Sequence, residues 1–508
     1  MRAKIIVATT LAIFIICNIS FASAETFDNY LKGAIHTESS VEITKSTIMD
    51  ASQSYIPSGS EEVTYRWDFG DGNKNEGVEV LHSYKTPGKY KVRLEITSGN
   101  NKAETETEIF AYKSLINLIT DQTDQKANIE MFTKIAEAHG VLISVIESFG
   151  SSTEFISEEI LTKKLTEGSK DIRKVGKILV WTKENAGLNA LSRFVKSSKD
   201  IVNLSNKEVI VIDNNIERNM SRIQRQFGAI NPQRIIIAQE GAIQTIIQGL
   251  KGNTSDLLQA SGYQHKVINE KTGKLRPWNF IAYFVNYLID SGVPDNTIAL
   301  LLLLPVIATV VAFMRQVVGV TTFGIYTPSI ITLSFLVIGL YAGLLTLAIA
   351  IFIGAISRQL LKHVRMLYIP KMAIVMTVVS LALLVILIGS TYIGLFNTQF
   401  LSIAIFPMLI LSTLVEKFVS VKSEKGLSSA AVLMLSTVVV SIIAYIIAGG
   451  EVNFGFGNMS FTYVKGLLLS YTELIFVLLV IDVLLGRWAG LRIMERIRFR
   501  EVLRHIEE

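Results

Sequence analysis

Cysteine is almost absent from this 508-residue sequence, in which the only one is Cys17. It lies in residues 1–24, which have the features of a secretory signal. Arg2 and Lys4 give a charged start, an apolar core follows, and Ala22–Ala24 form a small-x-small cleavage site. We expect cleavage, with an uncleaved membrane anchor as the alternative. The mature chain would then contain no cysteine, which excludes disulfide bonds and a thiol nucleophile.

The sequence also has few histidines and a low net charge. The chain has six histidines and a formal net charge of only +5, which gives no reason to expect nucleic-acid binding. It lacks the GxGxxG, GxxxxGKS/T, GxSxG and HExxH motifs of dinucleotide, nucleotide-triphosphate, serine-hydrolase and zinc-protease sites. We therefore predict no cofactor and no metal. The sequence favours a non-enzymatic protein, while an enzymatic middle domain stays open.

The amino-terminal half contains segments that alternate between apolar and polar residues. KYKVRLEIT (residues 89–97) and AETETEIFAY (residues 103–112) have the period of two that predicts strands with one buried face. Trp67 and Phe69 would share one face of an earlier strand. Gly70-Asp71-Gly72 would form the turn that follows it.

The triplet Asp68-Phe69-Gly70 raises the question of phosphoryl transfer, because protein kinases hold magnesium with such an aspartate. No glycine-rich loop, strand lysine or HRD loop accompanies it here. We therefore interpret Asp68 and Asp71 as aspartates that hydrogen-bond their own turn. A calcium ion bound by the two carboxylates is the alternative.

DASQS, YRWDFGDG and HSYKTPGKYKVRLEI together resemble the PKD domain over about residues 34–112. The resemblance implies an immunoglobulin-like β-sandwich. It also implies a spacer or adhesive module without catalysis.

The pattern changes over residues 115–275. Five runs rich in β-branched residues alternate with helix-like segments: LINLIT, VLISVIES, KILVWT, EVIVID and RIIIAQ. Strands that alternate with helices imply right-handed crossovers and a mainly parallel sheet covered on both faces. We predict a doubly wound α/β domain outside the cytoplasm.

Ligands of doubly wound sheets bind beyond the carboxyl ends of the strands. The candidate ligand-binding residues at these ends are Ser151, Ser152, Thr153, Asp213 and Glu240. Ser151, Ser152 and Thr153 precede a helix and could hold an anion at its N-terminus. Capping of the helix is the commoner alternative.

RPWNFIAYFVNYLIDSG, residues 276–292, carries five aromatic residues and is too short to span a bilayer. We predict an interfacial helix in the aromatic belt, just before the first membrane span.

Apolar runs near membrane-spanning length fill residues 297–486. We predict seven spans, at 297–314, 323–339, 341–357, 371–393, 399–417, 427–448 and 466–485. The second contains Pro328 and meets the third through IGLYAG, so these two could form one broken element. Basic residues concentrate in the proposed inner loops and the basic tail, residues 487–508, whereas the outer loops carry only Lys465. This asymmetry predicts an extracytoplasmic amino-terminal half and a cytoplasmic carboxyl terminus.

The first spans resemble a known family. LPVIATVVAFMRQVVGVTTFGIYTPSIITLSF (residues 304–335) and RQLLKHVRMLYIPKMAIVMTVV (residues 358–379) are similar to the bacterial seven-helix domain usually fused to an inactive transglutaminase-like domain. Members often occur alongside ATP-grasp peptide ligases, which implies a link to peptide modification at the envelope. This chain departs from the family, because a PKD domain and an α/β domain replace the usual soluble partner.

Ionisable residues are few within the predicted spans. Asp482 is the only aspartate there, and Glu473 lies about 180° away on an ideal helix, which argues against the paired carboxylates of an aspartyl protease. Arg315 and Asp482 both fall near the inner boundary and could form an ion pair. Glu473 falls deeper and is the best single candidate for function. Prolines in the spans could break helices at a substrate site, with kinks in a structural bundle as the alternative.

The sequence therefore predicts a multi-pass protein of the bacterial plasma (inner) membrane with three folded parts: an immunoglobulin-like β-sandwich, a doubly wound α/β domain and a seven-helix transmembrane bundle. The first two would bind a protein, peptide or glycan partner outside, and the bundle would anchor them in the lipid bilayer. The alternative is a transporter or a membrane component of a peptide-modifying system.

Overall fold

The computed structural model describes residues 30–57, 62–99, 101–149, 153–168, 172–173, 175–198, 202–249, 252–269, 280–291, 293–361, 367–393, 398–450, 452–454, 457–459, 462–488, 490 and 492–498. The predicted signal, residues 1–24, lies outside the described residues. The chain divides into two compact units between Lys113 and Ser114, and each is described by itself.

The first unit consists of two packed β-sheets. Its described strands are β1 (Ser40–Glu42), β2 (Thr47–Asp50), β3 (Val63–Asp68), β4 (Lys74–Glu76), β5 (Glu79–His82), β6 (Gly88–Ser98) and β7 (Asn101–Tyr112). One sheet has the order β1-β7-β6-β3-β4, and β2 pairs with β5 in the other. β1 is parallel to β7, and the remaining pairs are antiparallel.

The core of this unit lies between the two sheets. Trp67 and Phe69 are each 1% exposed and pack with Met49 of β2 and Val80 of β5. The indole N–H of Trp67 donates to the carbonyl of Gly77 at 2.9 Å. The apolar face predicted from the period of two is therefore the buried face.

The turn after β3 depends on glycine and on two aspartates. Gly70 has a φ of +78°, and a Cβ there would lie 2.7 Å from the carbonyl oxygen of Lys91, so other residues would collide with the backbone. Asp68 accepts a hydrogen bond from the N–H of Gly70 at 3.1 Å. Asp71 accepts one from the N–H of Asn73 at 3.0 Å.

The second unit begins with a six-stranded sheet. Its strands are β8 (Ser114–Thr120), β9 (Val141–Glu147), β10 (Lys177–Trp181), β11 (Glu208–Ile212), β12 (Arg234–Ala238) and β13 (His265–Ile268), in the order β13-β12-β11-β10-β8-β9. β8 to β12 run parallel and β13 is antiparallel to β12. Each of the five apolar runs identified in the sequence forms one of the parallel strands.

Helices lie on both faces of this sheet. They are α1 (Lys126–Ala138), α2 (Glu154–Glu167), α3 (Ala186–Ser197), α4 (Ile216–Ile230), α5 (Ile243–Gln248) and α6 (Thr254–Ala260). In β10, Ile178 and Val180 pack in the core with α2, α3 and α4, while Leu179 and Trp181 pack in the core with α1, α5 and α6. Because both faces are buried, the strands are apolar at nearly every position.

The strand order reverses next to β8. From β8 the chain moves to β9 on one side and then returns to β10 on the other. The carboxyl ends of β8 and β10 therefore flank the crevice where parallel sheets of this kind bind ligands.

The rest of the second unit is mainly helical. Its helices are α7 (Phe280–Ser291), α8 (Asp295–Phe313), α9 (Tyr326–Ile338), α10 (Leu340–Leu360), α11 (Tyr368–Ile393), α12 (Thr398–Ile447), α13 (Thr462–Ser470), α14 (Leu474–Gly486) and α15 (Ile493–Arg498). α12 is interrupted at Gly426, where φ is +86°. Between α12 and α13, β14 (Val452–Phe454) and β15 (Gly457–Met459) form an antiparallel hairpin.

Among the described residues, three helices are long and apolar enough to cross a membrane: Asp295–Val318, Leu340–Leu360 and Glu424–Ile447. Shorter apolar helices occupy Phe280–Ile289, Tyr326–Ile338, Ala373–Ala382 and Leu474–Gly486.

One predicted boundary needs correction. The seventh predicted span, 466–485, is not one helix, because α13 ends at Ser470 and α14 begins at Leu474. The break leaves the carboxylate of Glu473 free to accept a hydrogen bond from the N–H of Ala282 in α7, at 3.2 Å. The second and third predicted spans are two helices that fold back at Gly339, where Phe335 lies against Gly343.

Glycines of α10 allow neighbouring helices to approach closely. A Cβ at Gly343 would lie 2.4 Å from the ring of Phe335 in α9, and a Cβ at Gly354 would lie 2.0 Å from Val415 in α12. Small residues at such contacts are typical of packed membrane helices.

Candidate functional site

A cluster of buried and half-buried polar side chains joins the sheet-forming part of the second unit to its helical part. We call this cluster the junction. Its members are Glu154 and Glu158 of α2, Asn189 and Arg193 of α3, Arg222 of α4, Asp295 and Asn296 of α8, and Lys465 of α13.

Helix α2 begins at the junction. Thr153 is its N-cap and accepts a long hydrogen bond from the N–H of Ile156, at 3.5 Å. The same hydroxyl donates to the carbonyl of Val337, near the end of α9, at 2.7 Å. The first turn of α2 is thereby fixed to the helical region.

Glu154 is the centre of one ion-pair network. Its carboxylate pairs with the ammonium group of Lys465, and both side chains are less than 10% exposed. The guanidinium of Arg222 lies 3.8 Å from Glu154 and donates to the carboxylate of Glu184 at 2.8 Å. Charges buried at this level are tolerated in proteins when they are paired in this way.

Glu158 is the centre of a second network. Its side chain is 2% exposed and accepts a hydrogen bond from Arg193 at 3.0 Å. Its other carboxylate oxygen accepts from the amides of Asn296 and, at 3.4 Å, Asn189. Burial raises the pKa of Glu158 to about 8, although Arg193 acts in the opposite direction.

A small pocket opens beside this second network. It is lined by Asn189, Arg193, Gln226 and Asp295, together with residues of α3, α7 and the α7–α8 connection. Its volume of about 10 Å³ is close to what one water molecule needs. Gln226 donates to Asn189 at 2.9 Å, so the polar wall of the pocket is continuous with the junction.

Among the described residues, two junction atoms, Glu154 Oε1 and Arg222 Nε, are buried without a hydrogen-bond partner, and so is Gln226 Oε1 beside the pocket. Each such atom costs about 1–3 kcal/mol. Glu154 Oε1 keeps an electrostatic partner, since the guanidinium of Arg222 lies 3.8 Å away.

The carboxyl ends of β8 and β10 meet at Asp121. It accepts hydrogen bonds from the N–H of Lys183 at 2.9 Å and from the hydroxyl of Ser157 at 3.4 Å. Burial raises the pKa of Asp121 to about 6, against the effect of the Lys183 hydrogen bond. At the switch in strand order, Asp121 is thus hydrogen-bonded to neighbouring groups of the sheet domain.

Of the five candidate ligand-binding residues, the structure describes Thr153, Asp213 and Glu240. Ser151 and Ser152 lie outside the described residues, and Thr153 is engaged with Val337. Asp213 accepts hydrogen bonds from the N–H of Asn215 and the amide of Asn219, which ties it to the start of α4.

Glu240 lies next to the end of β11. Its backbone N–H donates to the side chain of Asn214 at 3.2 Å, and its carboxylate accepts from the Asn214 amide at 3.5 Å. Asn214 is exposed and Asp213 and Glu240 are half-buried, so the ends of β11 and β12 remain open at the surface.

The three polar residues predicted to lie in membrane spans have different surroundings. Arg315 and Asp482 are both exposed, and the ion pairs found in the described part of the chain do not include them. The two side chains do not form the predicted pair, although α8 and α14 pack against each other. Glu473 caps the first turn of α7 from the break before α14 and is not within a helix.

In the described residues of the first unit, the two turn aspartates form ion pairs within the β-sandwich. Asp71 pairs with His82 at 2.9 Å, and Asp68 pairs with Lys74 at 3.0 Å. Both carboxylates are also held by their own turn, as interpreted from the sequence. Within the described ranges, no three His, Cys, Asp or Glu side chains are grouped to hold a metal ion.

Sequence reasoning missed the junction. Glu154, Glu158 and Arg222 look like ordinary charges on helices of the sheet domain. One feature of the sequence could have indicated the junction: Lys465 is the single basic residue of the proposed outer loops.

Two family models match this chain. Residues 34–111 match the PKD domain, and residues 293–503 match the domain described as seven transmembrane helices usually fused to an inactive transglutaminase. These matches define a multi-pass membrane protein that carries a PKD β-sandwich. Both family resemblances inferred from the sequence are confirmed.

Three of the similar proteins each match less than a fifth of the chain. The collagenase ColA of Clostridium perfringens (strain 13 / Type A) is 35% identical over 77 residues, which are 15% of this chain and 7% of the collagenase. The PKD1 domain of Vibrio anguillarum Epp is 22% identical, with 17% of this chain and 99% of that chain covered and a TM-score of 0.15. The PKD1 domain of the Vibrio cholerae metalloprotease PrtV is 24% identical. The match covers 16% of this chain and 96% of that chain, with a TM-score of 0.14.

Proposed function

We propose that this is a non-enzymatic envelope protein of the bacterial plasma membrane. Its PKD domain and its α/β domain, a doubly wound domain over residues 115–275, would bind a protein, peptide or glycan outside the cytoplasm. The helical domain would anchor them and relay the contact.

The junction carries this proposal. A passive anchor needs no buried charges at its attachment, since removing each ion from water costs several kcal/mol. Here the ion pair of Glu154 with Lys465 links α2 to α13, and the hydrogen bond from Asn296 to Glu158 links α2 to α8. Movement of α2 upon binding would therefore change contacts made by two helices of the membrane domain.

The open ends of β11 and β12 are the best location for partner contact within the α/β domain. The bundle covers Thr153 and the start of α2, whereas Asn214 and Glu240 stay accessible. Their amide and carboxylate groups can donate and accept hydrogen bonds, which suits a peptide or a glycan.

Photo-crosslinking in living cells tests this location. The photoreactive residue p-benzoylphenylalanine would replace Asn214 or Glu240, and Asn203 or Gln233, which are exposed near the opposite ends of the strands, would serve as matched controls. We expect a discrete adduct only from Asn214 and Glu240. Equal labelling from all four positions, or none from any, would contradict a specific partner site there.

One observation favours the alternative of a transporter. Residues 319–325, between α8 and α9, are not helical, and Ser436 donates to the carbonyl of Thr321 at 2.6 Å. Thr437 accepts from the N–H of Phe323 at 3.1 Å. Ser436 and Thr437 lie halfway along the apolar helix Glu424–Ile447, and broken helices at such a depth form substrate sites in transporters.

Cysteine accessibility separates the two functions. Thr322→Cys in a Cys17→Ser background would be treated with a membrane-impermeant maleimide in intact cells and in inverted vesicles. A transporter predicts labelling from at least one side, through a water-filled path. Complete protection of Thr322→Cys from the maleimide on both sides would support the anchor. The exposed Lys266→Cys is the control and should be labelled in intact cells. A membrane component of a peptide-modifying system rests on the family resemblance alone.

A further inference from the structure

Helix α7 has two faces with opposite surroundings. Val285 and Ile289 are 4% and 2% exposed and belong to the same core as Ile298 of α8 and Ala229 of α4. On the other face, four aromatic side chains are 46–63% exposed: Phe280, Tyr283, Phe284 and Tyr287.

The exposed aromatic residues form one stripe. Their spacing of three, four and seven residues places them on a single side of the helix. The stripe ends at Tyr287, whose carbonyl accepts a hydrogen bond from the hydroxyl of Ser291 at 2.8 Å. Its four side chains are uncharged. Exposed aromatic side chains that share one face of a helix indicate contact with a partner or a membrane.

Both ends of α7 are fixed beside apolar helices. Its last residue, Ser291, precedes the spanning helix Asp295–Val318 by a short connection. Near its first turn, the N–H of Ala282 donates to Glu473, directly before the apolar helix α14. The stripe therefore lies at the level where two apolar helices begin.

We propose that this stripe lies in the boundary between headgroups and acyl chains of a phospholipid bilayer. Phenylalanine and tyrosine rings suit this boundary, because the ring is apolar while the tyrosine hydroxyl can reach headgroups and water. A helix of this kind rests about 5–10 Å below the surface. Because the stripe lacks charge, its contact is with the boundary itself and not with anionic headgroups.

The assignment also locates the bilayer surface relative to the junction. α7 packs against α4 through the core that contains Ala229. Arg222 lies on the same helix, so the ion pairs of the junction sit next to the membrane surface.

Nitroxide scanning of the full chain in phosphatidylcholine liposomes tests the proposal. Cys17→Ser would remove the only cysteine, and Tyr283→Cys, Phe284→Cys and Tyr287→Cys would each carry one spin label. Leu435→Cys, exposed on a spanning helix, gives the deep reference, and Lys266→Cys, exposed on β13, gives the aqueous reference.

We expect the three stripe labels to show higher oxygen accessibility and lower nickel-chelate accessibility than Lys266→Cys, at a depth shallower than Leu435→Cys. The values should not change when phosphatidylglycerol replaces part of the phosphatidylcholine. Accessibilities equal to the aqueous reference would overturn the proposal. Labels shielded from both reagents would also overturn it, since they would indicate a protein occupant, such as a second copy of the chain.

Discussion

Lys465 of α13 and Glu154 of α2 form a buried ion pair between residues that lie 311 positions apart in the chain. Arg222 adjoins the same carboxylate from α4. The orientation of the sheet domain on the membrane helices thus depends on a few charges whose partners come from distant parts of the sequence.

Removing the ammonium group should destabilise the protein. Lys465→Met leaves Glu154 buried without its closest partner, which should lower the free energy of unfolding by about 3–5 kcal/mol. Denaturant unfolding of the detergent-solubilised protein measures this change. The double variant Lys465→Met/Glu154→Gln should recover part of the lost unfolding free energy. Lys163→Met, which removes an exposed contact to Glu167 at 4.0 Å, is the control and should have little effect. An equally small effect of Lys465→Met would mean that the buried pair does not stabilise the junction.

Stability should fall as the pH rises from about 4.5 to about 8. Burial raises the pKa of Glu158 to about 8, so over this range the folded state binds more protons than the unfolded state. Asp121, with its pKa raised to about 6, contributes in the same direction at the acidic end. Unfolding curves at several pH values measure the slope, and Glu158→Gln should flatten it. A slope of the same size in that variant would assign the pH dependence to other groups.

Trp67 should be essential to the first unit. Trp67→Ala removes a side chain that is 1% exposed and should cost about 3–5 kcal/mol of unfolding free energy. Trp67→Phe keeps most of the packing and loses the hydrogen bond to Gly77, so it should cost less. Thermal unfolding of a fragment of residues 30–113 provides the measurement. If a calcium chelator lowers its melting temperature, Asp68 and Asp71 bind a cation and do not serve the turn alone.

Reporter fusions should define the orientation in the membrane. We predict that a reporter active only in the cytoplasm fails when fused after Tyr112 and works when fused after Glu508, because basic residues favour the cytoplasmic side. A reporter active only outside should give the reciprocal result. The opposite pattern would reverse the topology and place the proposed partner site in the cytoplasm.

Arg315 and Asp482 should behave independently. Both side chains are exposed and unpaired with each other in the described part of the structure. The effects of Arg315→Gln and Asp482→Asn on unfolding free energy should therefore add in the double variant. If the effect of the double variant on unfolding free energy differs from the sum of the single effects by more than about 0.5 kcal/mol, the two side chains interact as the sequence predicted.

Features encoded by neighbouring residues were predictable. The strands β6 and β7 follow from the alternation of apolar and polar residues, and the turn after β3 follows from Gly70 and its flanking aspartates. The parallel strands of the second unit are recognisable as short apolar runs, because burial of both faces removes polar residues from them.

The junction and the break before α14 were not predictable in the same way. Glu158 and Asn296 lie 138 positions apart, and neither residue type signals its partner. Glu473 was placed deep in a span because the surrounding residues are apolar, but its carboxylate satisfies the backbone of α7 and the helix is interrupted there. Both features depend on contacts between elements that are distant in the chain. The local periodicity of the sequence does not specify such contacts.

The glycines of α10 limit how the membrane domain can change shape. Gly343 and Gly354 are about three helical turns apart and therefore share one side of α10. Rotation of α10 about its own axis would replace these positions with larger side chains and drive them into Phe335 or Val415. We therefore expect α10 to keep its register with Phe335 of α9 and Val415 of α12, so that a transition of this domain would move these three helices together.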